Sequence, residues 1–179
     1  MALSEKVKER LEKMRHQFPT EQALLIPALH FVQEEKGWVS AESIKEIAEF
    51  LHLPLSKVRE VVTFYTMFNQ KPVGKVHLQV CMNVSCWLNG SPELLSCIEK
   101  RLGVECGGTT KNGNYTLSEV ECLAACGTAP AIQVNEDYYE GLNVERLNKL
   151  LDDLDAQLAA GKKDIGCNSR NEFKTGVSL

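Results

Sequence analysis

Two cysteine pairs decide the fold and the chemistry of this chain: Cys81-Met-Asn-Val-Ser-Cys86, and Cys122-Leu-Ala-Ala-Cys126 further along. Four thiolates that arrive as two separated pairs suit a tetrahedral sulfur site, because folding can bring the two pairs together. Residues 87–121 separate the pairs and are numerous enough to form a strand and a helix. The sequence therefore predicts either an iron–sulfur centre or a structural zinc site, with the ligands Cys81, Cys86, Cys122 and Cys126.

Spacing alone does not choose between these two kinds of metal site. C-x4-C and C-x3-C are both compatible with zinc, and the plant-type ferredoxin spacing C-x4-C-x2-C is absent. The small residues Ala124, Ala125 and Gly127 would let backbone N–H groups approach sulfur, which favours an iron–sulfur cluster. A dithiol oxidoreductase is disfavoured, because the sequence contains no C-x-x-C.

The remaining cysteines and the composition narrow the class of protein. Cys97, Cys106 and Cys167 bring the total to seven, an odd number. With no apolar signal peptide at the start, this favours metal or redox chemistry in the cytoplasm over a disulfide framework. We interpret Cys97 and Cys106 as small packing residues. No apolar stretch approaches the roughly 20 residues of a membrane helix, and a net charge of −4 gives no general attraction to nucleic acid.

Residues 1–73 predict a bundle of four short helices. Apolar residues recur at helical spacing in four runs, each opened by a polar cap or a first-turn proline. These openings are Ser4, Thr20, Ser40 and Pro54. Pro27 lies inside the second run, where we expect a kink or a restart. The third and fourth helices also resemble a helix-turn-helix, although the fourth has few side chains able to read a base edge.

The periodicity changes after a predicted linker at residues 71–74. Alternating apolar residues predict a strand that ends on Cys81, followed by a loop that holds Cys86. Ser91 is predicted to cap a helix that ends at Gly103. Asn112-Gly113 predicts a hairpin turn that leads into a strand reaching Cys122. Two more strands are predicted, at residues 131–134 and near Tyr138-Tyr139, and Asn143 is predicted to cap the last helix.

This order of elements predicts an α/β protein in three parts. They are a helical bundle domain over residues 1–73, a thioredoxin-like domain over residues 74–161 and a flexible C-terminal tail over residues 162–179. The four candidate ligands all fall in the second part.

The cysteine motifs and their neighbours resemble one family, the E subunits of respiratory complex I (NADH-quinone oxidoreductase). The similar motifs are Val80-Cys81-x4-Cys86, Glu121-Cys122-Leu123-x-Ala125-Cys126, Ala129-Pro130, Val62-Thr-Phe-Tyr65 and Glu34-x-x-Gly37-Trp38. The resemblance spans residues 20–160 and implies a helical domain followed by a thioredoxin-like [2Fe-2S] ferredoxin domain. It implies one [2Fe-2S] cluster, ligated by Cys81, Cys86, Cys122 and Cys126. The family usually has glycine at the position of Ala124.

The resemblance also implies a function. The chain would be an electron-transfer subunit of an oxidoreductase complex, taking an electron from the FMN of a partner subunit of the F type, which also binds NADH. A neighbouring iron–sulfur subunit is a further implied partner. Neither G-x-G-x-x-G nor a P-loop occurs here, which agrees with nucleotide sites in another chain. The implied location is the peripheral arm of a membrane complex, on its cytoplasmic side.

Several alternatives stay open at this point. Related subunits serve NAD-linked hydrogenases and formate dehydrogenases, and the sequence does not distinguish these complexes. A zinc-stabilised adaptor and a cluster-containing DNA-binding regulator are the alternatives from other functional classes.

Overall fold

The computed structural model describes residues 3–162 and residue 165. The chain folds as two compact units that divide between Pro72 and Val73. The first unit is helical, and the described residues of the second form a four-stranded sheet with three α-helices and a 3-10 turn (Cys126–Thr128). Each unit has its own apolar core. None of the described helices has the length and apolar character needed to cross a lipid bilayer.

The helical unit contains the four predicted helices. They are α1 (Glu5–Arg15), α2 (Leu25–Lys36), α3 (Ala41–Phe50) and α4 (Leu55–Phe64), and a 3-10 turn (Glu21–Leu24) precedes α2. Ser4, Thr20 and Ser40 each accept a hydrogen bond from the backbone N–H three residues later, which confirms the predicted caps. The restart predicted at Pro27 is also confirmed. Pro27 falls in the first turn of α2, where its missing N–H removes no helical bond.

The segment after α4 is fixed to α2 by one side chain. The amide nitrogen of Gln33 donates to the carbonyl oxygen of Met67 at 2.8 Å, and the amide oxygen of Gln33 accepts from the N–H of Asn69 at 2.6 Å. Phe68 is buried beside these contacts, against the core of the helical unit. This segment is therefore ordered by specific bonds although it has no regular secondary structure.

The second unit is built on a mixed sheet. Its strands are β1 (Val76–Cys81), β2 (Tyr115–Val120), β3 (Ala131–Val134) and β4 (Asp137–Glu140), in the spatial order β2-β1-β3-β4. β1 runs parallel to β2 and antiparallel to β3, and β4 is antiparallel to β3. Its helices are α5 (Val84–Leu88), α6 (Ser91–Leu102) and α7 (Val144–Ala159). The predicted strand that ends on Cys81 and the Asn143 cap of the last helix are confirmed.

The structure corrects the sequence prediction around Cys86. The sequence predicts a loop there, but Cys86 lies within the short helix α5. The side chain of Asn83 accepts a hydrogen bond from the N–H of Val84 at 2.9 Å and so caps a helix of about one turn. The following cap is also different from the prediction. Gly90, with φ of 98°, precedes α6 in place of Ser91, because this left-handed conformation favours glycine.

The predicted hairpin at Asn112-Gly113 forms. The N–H of Gly113 donates to the carbonyl oxygen of Thr110 at 2.8 Å and closes the turn. Beyond it, an antiparallel bridge joins Thr109 to Thr116, and the N–H of Thr110 donates to the carbonyl oxygen of Tyr115 at 2.9 Å. On its other side β2 pairs along its whole length with β1, and Leu117 is buried in the core.

Polar contacts fasten α7 to its neighbours. Arg101 of α6 donates to Asp152 at 2.6 Å, and the hydroxyl of Tyr115 donates to Asp155 at 2.6 Å. Burial and the adjacent Asp155 carboxylate raise the pKa of Tyr115, so its hydroxyl stays protonated and remains a donor. Ile165 is buried, and its carbonyl oxygen accepts from the side chain of Asn135 at 3.1 Å. Apart from residues 162 and 165, the tail that is predicted to be flexible lies outside the described residues.

Candidate iron–sulfur site

The sheet brings the two cysteine pairs to one edge. Cys81 is the last residue of β1 and pairs in register with Val120, the last residue of β2. Because parallel strands end at the same edge, Cys122, which follows the end of β2 by two residues, lies at the same edge as the end of β1. β3 begins at this edge too, since Val80 pairs with Ile132. Because β1 and β2 are parallel neighbours, the two pairs, which are far apart in sequence, lie at the same edge of the sheet.

The first cysteine pair is buried. Cys81 and Cys86 are each only 2% exposed and form a small apolar cluster with Ala131, the first residue of β3. Half-buried side chains surround this cluster, and they are Val120, Leu123, Ala125 and Ala129. α5 begins three residues after Cys81 and returns Cys86 to it. We call the group Cys81, Cys86 and Ala131 the sulfur pocket.

The second cysteine pair lies at the surface, where Cys122 and Cys126 are exposed. Burial raises the pKa of the Cys86 thiol, and a hydrogen bond with Cys81 and the charges of Cys81 and Cys126 act in the same direction. The N–H of Ala131 opposes them by donating to Cys86. The sulfur of Cys122 accepts a hydrogen bond from the N–H of Ala124 at 3.3 Å.

The donor set fits an iron–sulfur cluster. It offers four thiols, a buried apolar cluster around two of them, and the backbone N–H of Ala124 directed at the sulfur of Cys122. Such donors stabilise the negative charge of thiolate ligands. In the described part of the chain, no three Cys, His, Asp or Glu side chains already stand close enough together to hold one metal ion.

The other described cysteines lie apart from the sulfur pocket. Cys97 packs against the main core of the second unit, and its sulfur is 4.0 Å from the side-chain oxygen of Asn148. Cys106 is half-buried, and its N–H donates to the carboxylate of Glu99 at 3.0 Å. Burial, with a smaller effect from Glu119, raises the pKa of the Cys106 thiol. The placement of Cys97 suits a packing role, and Cys167 lies outside the described residues.

One feature beside the site is absent from the sequence predictions. Three large apolar side chains of α5 are exposed: Val84 by 65%, Trp87 by 55% and Leu88 by 72%. We call these three residues the α5 face. Their spacing of i, i+3 and i+4 is the available sequence signal, because it places them together on one side of a helix. The signal has meaning only once this segment is known to be helical.

Comparison with known proteins decides the family. The model of the thioredoxin-like [2Fe-2S] ferredoxin family matches residues 11–155. The chain belongs to this family. Membership confirms the predicted fold class, the [2Fe-2S] cofactor and a role in electron transfer. It also decides for iron and sulfide over zinc, which the cysteine spacing left open.

Two curated relatives illustrate the similarity. The NADH-quinone oxidoreductase E subunit of Rickettsia felis is 45% identical over 130 residues, which cover 72% of this chain and 78% of that protein. The second NADH-quinone oxidoreductase E subunit of Rhizobium meliloti is 42% identical over 146 residues, covering 82% and 87%. The resemblance to the E subunits of complex I found in the sequence is therefore confirmed.

A solved structure shows the same fold. A chain of an NAD+-reducing [NiFe]-hydrogenase in the air-oxidized state superposes with a TM-score of 0.69 at 18% identity. The superposition covers 87% of this chain and 26% of the hydrogenase chain, so this protein spans about a quarter of that neighbour.

Proposed function

We propose that this chain is the E subunit of an NADH-quinone oxidoreductase, respiratory complex I, and carries electrons within it. Its cluster ligands are Cys81, Cys86, Cys122 and Cys126. The observation that carries the proposal is the placement of both cysteine pairs at one sheet edge, in a chain 45% identical to a protein of that name. When bound, a [2Fe-2S] cluster supplies a one-electron carrier.

The residues of this chain divide the work of holding such a cluster. Cys81 and Cys86 would anchor it on the buried side, where the apolar pocket excludes water. The exposed Cys122 and Cys126 would hold it at the surface, on the side open to an external electron donor. The N–H groups directed at sulfur would adjust how readily an electron is accepted.

The electron donor in this proposal is the FMN of a partner subunit of the F type, which also binds NADH. A neighbouring iron–sulfur subunit is the second proposed partner. The sequence supports donor sites outside this chain, because it has neither of the glycine motifs that cradle nucleotide phosphates. The proposed location is the peripheral arm of the complex, on the cytoplasmic side of the membrane.

The α5 face is the proposed contact with the flavin-bearing partner. It belongs to the helix that carries Cys86, so a protein that covers it also approaches the cluster site. Its Trp87 is of the residue type most often found at the energetic centre of an interface. Apolar side chains exposed next to a redox site are best explained by a partner surface that is itself apolar.

Trp87→Ala should weaken association with the flavin-bearing subunit about 30-fold, because truncation of a central interface tryptophan costs about 2 kcal/mol. Titration calorimetry with the purified partner measures the change in Kd. Val144→Ala is the matched control, since Val144 is an exposed apolar residue at the start of α7 in the same unit. An equal loss in both variants, or no loss with Trp87→Ala, contradicts the proposed contact.

Electron paramagnetic resonance of the anaerobically purified protein tests the function. A half-spin signal that appears only after chemical reduction, with two iron atoms per chain, is the expected result for one [2Fe-2S] cluster. No signal in either state, with zinc found by metal analysis, would refute the electron-transfer role.

A second host complex is favoured by one observation, the shared fold with the NAD+-reducing hydrogenase chain. Purification of the native complex separates the two candidates. Nickel in the purified assembly identifies a hydrogenase, whereas quinone reduction with NADH and no nickel identifies complex I.

A further inference from the structure

Ala124 adopts a backbone conformation that alanine rarely takes. It lies between Cys122 and Cys126 with φ of 57°, in the left-handed region. This conformation is unfavourable for an L-residue because its Cβ crowds the following carbonyl oxygen, and glycine adopts it without that cost. The side chain of Ala124 is exposed. Packing of its methyl group therefore does not explain the conformation.

The neighbours of Ala124 impose this shape on the chain. Leu123 and Ala125 are half-buried and both pack against the sulfur pocket. The carbonyl oxygen of Ala125 accepts from the N–H of Thr128 at 3.2 Å and from its hydroxyl at 3.4 Å, which closes a turn directly after Ala124. Because the residues on both sides are anchored, the chain must change direction at Ala124, and it does so through the positive φ of this residue.

The peptide plane between Leu123 and Ala124 directs a hydrogen bond at a proposed cluster ligand, and the positive φ of Ala124 turns the chain away after that plane. The N–H of Ala124 donates to the sulfur of Cys122 at 3.3 Å. Cys122 is exposed, in contrast to Cys86, which is buried. At Cys122 this bond is made by a residue under conformational strain.

We propose that Ala124 is a positioning residue for the Cys122 ligand. Its N–H bond to the sulfur of Cys122 raises the one-electron reduction potential of the bound [2Fe-2S] cluster. Reduction adds one electron and makes the cluster and its thiolates more negative. A hydrogen bond to thiolate sulfur stabilises that added charge and so favours the reduced form. The inference rests on the proposed function, because it requires Cys122 to be a ligand.

Three substitutions separate the backbone conformation from the side chain. Ala124→Gly and Ala124→Asn both tolerate positive φ, so both should keep the N–H on Cys122 and the wild-type potential. Ala124→Val disfavours positive φ strongly, because its β-branched side chain crowds the backbone there. Because Ala125 is held by Thr128, a negative φ at residue 124 requires the 123–124 peptide plane to rotate, and the bond to Cys122 should then be lost. The expected result is about a tenfold smaller equilibrium constant for reduction, or 59 mV toward negative potential for one electron.

Potentiometric titration of the cluster-loaded protein, followed by electron paramagnetic resonance, measures these potentials. A negative shift confined to Ala124→Val supports the inference. So does loss of the cluster from Ala124→Val while Ala124→Gly and Ala124→Asn retain it. An unchanged potential in Ala124→Val, or an equal shift or loss in all three variants, overturns it. Absence of a [2Fe-2S] signal from the wild-type protein refutes the proposed function itself.

His52→Val is the control for strain alone. His52 also has positive φ, 52°, but lies in the turn between α3 and α4 of the helical unit. This variant should lower thermal stability and leave the reduction potential unchanged. A shift of potential as large as that of Ala124→Val would show that general destabilisation, and not the bond to Cys122, moves the potential, and would overturn the inference.

Discussion

Cys86→Ser should leave the protein without a [2Fe-2S] cluster, with iron content and the reduced-state resonance signal both falling at least tenfold. Cys86 is buried at 2% exposure and is proposed to hold the inner side of the cluster. A serine hydroxyl is a much weaker ligand for iron than a thiolate, because it binds its proton far more tightly. The buried hydroxyl also loses its hydrogen bonds to water, which costs about 1–3 kcal/mol.

Cys97→Ser is the matched control for this change. It makes the same atomic replacement in the same unit, at a half-buried cysteine that packs on the main core. It should retain iron, sulfide and signal. Cys122→Ser should weaken the cluster less than Cys86→Ser does, because water can reach and solvate the new hydroxyl at this exposed position. Full retention of the cluster in Cys86→Ser, or equal loss in Cys97→Ser, would refute the ligand assignment.

The sequence was sufficient for the parts of the fold that depend on local chemistry. Caps such as Ser4, Ser40 and Asn143 act within one turn of helix, so their effect is visible in the residues themselves. Alternating apolar residues likewise revealed the strand ending at Cys81, because period-two burial is a property of the strand alone. The family motifs surround the same cysteines and indicated that the cofactor is a [2Fe-2S] cluster.

The sequence was insufficient where the structure depends on distant partners. The turn at Asn112-Gly113 predicts the hairpin before β2, but not that β2 also pairs in parallel with β1, whose last residue lies more than thirty positions before that turn. The helix that carries Cys86 is about one turn long, too short for helical periodicity to be detected. Without that helix, the exposed α5 face could not be predicted. The left-handed backbone of Ala124 could not be predicted for a related reason, because its half-buried neighbours impose it.

We propose that the two compact units are separate domains, residues 1–73 and 74–161, and a pair of core substitutions tests this. Leu29 and Leu150 are both fully buried, the first in the core of the helical unit and the second in the core of the sheet unit. Each change to alanine should lower the unfolding free energy of its own unit by about 2–5 kcal/mol, from lost burial and the cavity left behind.

The two variants should differ in where the damage falls. Leu29→Ala should lower the melting temperature of the helical unit and leave the reduced-state cluster signal unchanged, because the four proposed ligands belong to the other unit. Leu150→Ala should lower the temperature at which the cluster is lost. Scanning calorimetry and cluster absorbance, recorded on the same samples, measure both. One shared transition that both variants shift equally would mean that the two cores unfold together, and the protein would then be a single cooperative domain despite its two hydrophobic centres.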